Sequence, residues 1–228
     1  LGLWELTYEE RTKDKKNKDG TITKVYDRTV VIAKKSKEGD DGASLAKQLG
    51  LKGKDATKFA EKIGGGDSIQ LSKQGGDVGR IFGAVESGLT EQKKFEDKNP
   101  GKAGGPTSAD CSETACRIAY PQQLFGTLVF SVQEADQTIT GNNAKSVQES
   151  ELRIGDIVRW AKDGNPTHFA SFIFRTDDGV PEVFSKSGAK GRFEVAPING
   201  AGSITQKYGS IYGTVQGIEK TQTGFYRP

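Results

Sequence analysis

The chain of 228 residues contains no methionine, one histidine and two cysteines. A zinc centre built from several Cys and His ligands is thereby excluded, because such a site needs about four of these groups. Acids number 30, so a Mg or Ca site held by carboxylates stays open. Methionine is missing even at position 1, and no basic, apolar, small-residue leader opens the sequence, which reads as a processed or excised piece of a longer polypeptide. No apolar run approaches the roughly 18 residues of a membrane span. An excess of charge is missing too: 33 Lys and Arg against 30 Asp and Glu leave +3, too balanced for a chain whose partner is bulk nucleic acid.

What is present divides into two unequal parts. Hydrophobic residues make up 33% and glycines number 30, a globular composition with abundant loops. Leu3, Trp4, Leu6 and Tyr8 alternate, and a polar turn with Asp19-Gly20 leads to Thr21–Tyr26, which is the pattern of a β-hairpin. A β-branched strand is expected at 28–33 and a loop at 37–42. Short amphipathic helices follow at 43–49 and 54–63, closed by Gly50 and by Gly64-Gly65-Gly66, then a strand at 68–72. Apolar positions Val78, Ile81, Phe82 and Val85 predict a helix over 78–89. The stretch from Glu91 to Pro106 offers charges, prolines and glycines with almost nothing to bury, and reads as a linker or mobile loop. The expected organisation is a small α/β domain over 1–90, a linker over 91–107 and a second domain over 108–228. Basic runs at Lys13–Lys18 and Lys93-Lys94 read as solvated charge.

Chemistry begins at residue 108. Ser108 or Asp110 is available as an N-cap for a helix that places Cys111 in its first turn, where amide groups and the helix dipole favour a thiolate. Cys116 lies further in and reads as a small buried hydrophobe. On a helix these two cysteines point about 140° apart, so they are expected as free thiols rather than a disulfide. Gly155-Asp156 starts a strand to Trp160, and His168 heads the next strand, to Phe174. Pro181–Ser185 is a third strand after the turn Asp177-Asp178-Gly179, and 211–218 a fourth. If Cys111 needs a base, the lone imidazole of His168 supplies it.

These segments resemble known families. Asp110-Cys111-Ser112 at a helix start, Gly155-Asp156-Ile-Val-Arg-Trp160 and His168-Phe-Ala-Ser-Phe-Ile173 are similar to the papain-like cysteine hydrolases of the NlpC and CHAP kind, over roughly 108–190. The resemblance implies an α+β fold, with a papain-like core in which the Cys-bearing helix packs on an antiparallel sheet, preceded by the small α/β domain. It also implies Cys111 as nucleophile, His168 as base, and a polar third residue on the strand after His168. Glu182 fits that third role by chemistry and Ser185 by spacing. Glu113 and Thr114 depart from the glycine and aromatic residues that often follow the nucleophile, and the insert between Tyr120 and Glu151, with a strand or helix over 124–132 and a turn at Gly141-Asn142-Asn143, is long. The β-α-α-β order over 28–72 with Ser44–Gly50 resembles the glycan-binding LysM module. Val183–Val195, Gly224–Pro228 and the opening Leu1-Gly-Leu-Trp4 resemble the C-terminal toxin domains of Rhs-type polymorphic toxins.

The resulting expectation is a secreted or delivered bacterial effector that attacks an amide bond. Its substrate would be a peptidoglycan stem peptide or a protein inside a target cell, and a cognate immunity protein would accompany it. No nucleic-acid partner, cofactor or metal enters this reading. Two other classes stay open: a cell-wall-binding module without catalysis, and a metal-dependent nuclease using Asp177, Asp178 and Glu182, although Asp177-Asp178-Gly179 is better explained as a turn.

Overall fold

A computed structural model describes residues 4–36, 41–123, 125 and 130–228. Strands β1 (Trp4–Lys16) and β2 (Ile22–Lys35) form a long antiparallel ribbon. Arg11 faces Arg28 and Thr12 faces Tyr26, so Asp27 is the extra residue of a bulge. The strand expected at 28–33 is therefore the second half of β2, continuous with the hairpin. Val30, Val31 and Ala33 anchor this half in the core, while the outer half is exposed and held by cross-strand ion pairs such as Lys13–Asp27 at 3.1 Å.

Helix α1 (Gly42–Gln48) is capped by Asp41, whose carboxylate accepts the Ser44 N–H. After α2 (Gly53–Ile63), β3 (Ser68–Gln70) pairs with β2, which completes the expected β-α-α-β order. Residues 37–40 of the expected loop, and the opening residues 1–3, lie outside the described residues.

Helix α3 (Gly76–Lys98) runs well past the expected end at 89 and absorbs residues 91–98 of the expected linker. The sequence offered little apolar material there, but a polar side chain does the anchoring. Buried Gln92 donates to the Gly104 carbonyl at 3.0 Å and accepts the Phe193 N–H at 3.0 Å. Residues 99–107 are tied down as well, by Gly105 N–H to the Lys190 carbonyl.

The remaining helices are α4 (Cys111–Ala119), α5 (Val132–Gly141) and α6 (Ile204–Tyr212). They surround a larger antiparallel sheet of β4 (Lys145–Ser146), β5 (Ile157–Lys162), β6 (Asn165–Arg175), β7 (Pro181–Lys186), β8 (Phe193–Pro197), β9 (Thr214–Val215) and β10 (Phe225–Arg227). Its order is β4-β10-β5-β6-β7-β8, with β9 also on β5. The strand expected over 211–218 is mostly not strand: Ser203 caps α6 by accepting the Gln206 N–H, and α6 runs to Tyr212, leaving only β9. Val132 opens α5 behind a Ser131–Glu134 capping box, while 124 and 126–129 of the expected 124–132 element lie outside the described residues.

The central residues of β5 and β6 alternate between the two faces of the sheet. Ile157 and Phe169 face α4 and α5, packing on Ala115, Cys116, Ala135 and Ile139. Trp160, Ala170 and Phe172 face the other way, towards Ile204 of α6. Arg159, 1% exposed, locks α5 to the sheet through two hydrogen bonds to Asp136 at 2.7 and 2.8 Å.

One apolar cluster runs from Trp4, Val31, Leu45 and Phe82 to Ile118, Ile154, Phe184 and Phe193, so the two halves share a core. Gly50 sits at this junction with φ +72, and a Cβ there would lie 2.1 Å from the Leu152 carbonyl oxygen. Gly50→Ala is therefore expected to lower unfolding stability by about 3 kcal/mol or more. Urea unfolding followed by tryptophan fluorescence and by circular dichroism should show one shifted, coincident transition; two separate transitions would mean that the halves unfold independently.

Candidate active site

Cys111 is the first residue of α4. Asp110 precedes it as N-cap and accepts the Glu113 N–H at 2.9 Å, with the Ser112 N–H also directed at its carboxylate. The helix start expected from sequence is thus formed, with Asp110 rather than Ser108 as its cap. Two first-turn amides that an oxyanion would use already serve Asp110. Cys111 and Cys116 are both free and buried, as their opposed directions on the helix required.

The β6–β7 ladder stops at Ser171 opposite Phe184, and the Cys111 end of α4 meets the sheet near this opening. There the main-chain N–H of Phe169, next in sequence to His168, is directed at Cys111. Burial raises the Cys111 thiol above its ordinary value; the nearby Asp110 carboxylate raises it further, while the Phe169 N–H opposes both. Cys116, deeper in the core, is pushed up to about 12 by burial.

His168 belongs to β6 opposite Trp160, on the α6 side of the sheet. It is fully buried, and its ring stacks flat on Tyr212 of α6 with centroids 4.2 Å apart and planes at 3°. Trp160 flanks it at 5.4 Å. Neither imidazole nitrogen has a hydrogen-bond partner, so a direct bond to the Cys111 thiol is not made in this arrangement. Burial without a compensating acid lowers the His168 pKa to about 3. Both members of the expected dyad are therefore neutral, a thiol at the start of α4 and an imidazole on the α6 side of the sheet, and they are not joined.

The two candidates for the third position fare differently. Glu182 pairs with Phe174, six residues along β6 from His168, a separation of roughly 20 Å. It cannot orient the imidazole, and it interacts instead with Tyr8 of β1 and Asp178. Ser185 follows Phe184 on β7 and points to the same face as Ala170 and His168 by alternation. Its hydroxyl is buried and has no partner, which leaves it available.

Several residues at this site were not foreseen. Tyr212 covers His168, and Ser187 lies against the hydroxyls of both Tyr208 and Tyr212. Glu194 of β8 accepts from Tyr208 at 2.8 Å, Lys207 at 2.9 Å and Ser187 at 3.3 Å. Lys186, fully buried, donates to the Gly188 and Ala189 carbonyls and faces Asp110 and Cys111 electrostatically. A lysine inside the apolar strand 183–186 was the one sequence signal among these. The nuclease candidates do not assemble: Asp178 is engaged by the Thr176 hydroxyl within its turn, and among the described residues no cluster of three His, Cys, Asp or Glu could hold a metal ion. No helix among the described residues is long and apolar enough to cross a membrane.

Comparison of the chain with protein-family models, with curated proteins and with solved structures finds no match.

The buried imidazole has a pH signature. The unfolded chain binds a proton at His168 near pH 6.5, whereas the folded chain resists until about pH 3. The stabilising contribution is complete above 6.5 and is lost as pH falls from 6.5 towards 3. His168→Phe keeps the stacking on Tyr212 and removes two unpartnered nitrogens, so it is expected to raise stability at pH 7 by about 1–3 kcal/mol. The same variant should flatten the acid limb of unfolding free energy against pH. An unchanged acid limb would mean that the imidazole is solvated.

Proposed function

We propose that the chain is a papain-like cysteine hydrolase acting on an amide bond, with peptidoglycan stem peptides as the substrate and Cys111 and His168 as the reacting pair. The observation that carries this reading is the buried, unpartnered His168, whose neighbour in sequence, Phe169, directs its main-chain N–H at Cys111. A structural histidine at such a depth is normally hydrogen-bonded, because an unmet polar group costs about 1–3 kcal/mol. One kept without a partner is better explained by chemistry than by stability. The resemblance of the Cys, Gly-Asp and His segments to NlpC and CHAP hydrolases supports the same assignment.

In the reaction, His168 Nδ1 or Nε2 takes the Cys111 proton once the imidazole leaves its stack or the thiol turns towards it. The sulfur attacks the amide carbonyl, and the imidazolium returns the proton to the departing amine as the C–N bond breaks. Water, deprotonated by His168, then cleaves the thioester and restores the thiol. Ser185, whose unpartnered hydroxyl lies on the same face of the sheet as His168, is assigned the role of positioning the imidazole. Lys186 offsets negative charge near Asp110 and Cys111. The Rhs and LysM resemblances extend the proposal to an effector delivered against cell walls and matched by an immunity protein.

The test is digestion of purified peptidoglycan by the chain. Release of peptide fragments is expected, with losses of about 10²–10⁴-fold in Cys111→Ala and in His168→Ala. Undiminished digestion by Cys111→Ala would sink the hydrolase reading. Activity on a target-cell protein but not on the wall would move the substrate while keeping the chemistry.

A further inference from the structure

One face of the chain's single histidine is covered by one ring. Tyr212, the last residue of α6, is half-buried and lies flat on the His168 imidazole, with centroids 4.2 Å apart and planes at 3°. Trp160 fills the flank at 5.4 Å. With Tyr212 in this place the imidazole is fully buried, and neither nitrogen has a partner. A flat stack answers none of the imidazole's hydrogen-bonding capacity. What it does is keep water and ligands off that face.

The main chain beneath Tyr212 is fixed at both ends of α6. At the start, Ser203 and Ile204 are buried, and Trp160 Nε1 donates to Thr205 Oγ1 at 2.9 Å. At the end, the Thr167 hydroxyl donates to the Tyr212 carbonyl at 2.5 Å, and Thr214 and Val215 pair with Ala161 and Trp160 of β5. Gly213 lies so close to β5 that a Cβ there would be 2.2 Å from the Ala161 carbonyl oxygen. The helix is therefore held in place, and the part free to move is the Tyr212 side chain, by a change of rotamer. Its neighbours set how firmly it is held. Tyr208, one turn back, packs on it with centroids 5.1 Å apart. The Tyr208 hydroxyl donates to Glu194 at 2.8 Å, and Glu194 also accepts from Lys207 and Ser187.

We propose that Tyr212 is a side-chain gate over His168, latched by Tyr208 and Glu194: shut, it keeps the imidazole dry and without a partner, and open, it admits ligand to it. The inference rests on the cysteine-hydrolase reading only for what passes the gate, a substrate amide. A removable cover also accounts for an imidazole buried without a hydrogen bond. One side-chain rotation uncovers it while the backbone stays as it is.

The single histidine makes the test direct. Diethyl pyrocarbonate modification of His168 is followed by mass spectrometry of peptides. Alkylation of Cys116 by iodoacetamide, read the same way, gauges unfolding, because Cys116 is fully buried in the core between α4, α5 and the sheet. Tyr212→Ala is expected to speed His168 modification by about 10-fold or more. Glu194→Ala should speed it by about 2- to 10-fold, through the loosened Tyr208–Tyr212 pair. Tyr212→Phe keeps the ring and should stay near the parent, and Cys116 alkylation should change in none of the three. Equal His168 rates in Tyr212→Ala and the parent would overturn the inference. So would a rise at His168 matched by an equal rise at Cys116, since unfolding would then expose both. Peptidoglycan digestion separates the gate from the reading beneath. Faster His168 modification in Tyr212→Ala, with no Cys111-dependent digestion by the parent, keeps the gate and removes the hydrolase. Cys111-dependent digestion with equal modification rates removes the gate alone.

Discussion

The packing on which the molecule's other arrangements depend is that of α3 against the larger sheet. A Cβ at Gly88 would lie 2.6 Å from the Phe184 ring and 2.8 Å from that of Phe193. Without a side chain there, the helix axis drops onto this stacked aromatic pair, whose centroids are 5.8 Å apart. The opposite side of α3 holds the ribbon: Glu86 accepts the Val31 N–H at 2.9 Å, and Thr90 the Thr29 N–H at 3.0 Å. One helix thereby fastens both sheets.

Local patterns in the sequence were sufficient where one residue type decides the outcome. Asp110 before Cys111 made a helix start and Gly155-Asp156 opened β5, whereas β6 begins at Asn165, so His168 lies inside that strand rather than at its head. They failed where tertiary partners decide. The run from Glu91 to Lys98 has little to bury, yet it is helical because Gln92 binds backbone groups that arrive from residues 104 and 193. Residues 211–212 look like strand, but Ser203 starts a helix that reaches them. Of the two residues offered for the third position, Glu182 lies away from the imidazole for a geometric reason. Spacing along one strand says nothing about register, and the pairing of Phe174 with Glu182 carries that carboxylate away from the imidazole. Tyr212 and Glu194 come from elements that no motif connects to the cysteine, so only the fold could bring them near.

The closed state of the site carries an energetic tension that a purely structural protein would relieve. His168 has two unmet nitrogens, and the hydroxyls of Ser171 and Ser185 are likewise without partners. Replacing such groups by apolar ones of similar shape is close to neutral or stabilising. Their retention is understandable if the imidazole must stay uncharged and mobile until substrate arrives. A thiol raised by burial and a base lowered by burial form no ion pair at rest, which protects the thiol from oxidation and adventitious alkylation. The remaining requirement is a source of free energy for bringing the pair together. Interactions at the far end of a ligand can drive rearrangement at the near end, so in the proposed hydrolase it is the binding of substrate that would supply it.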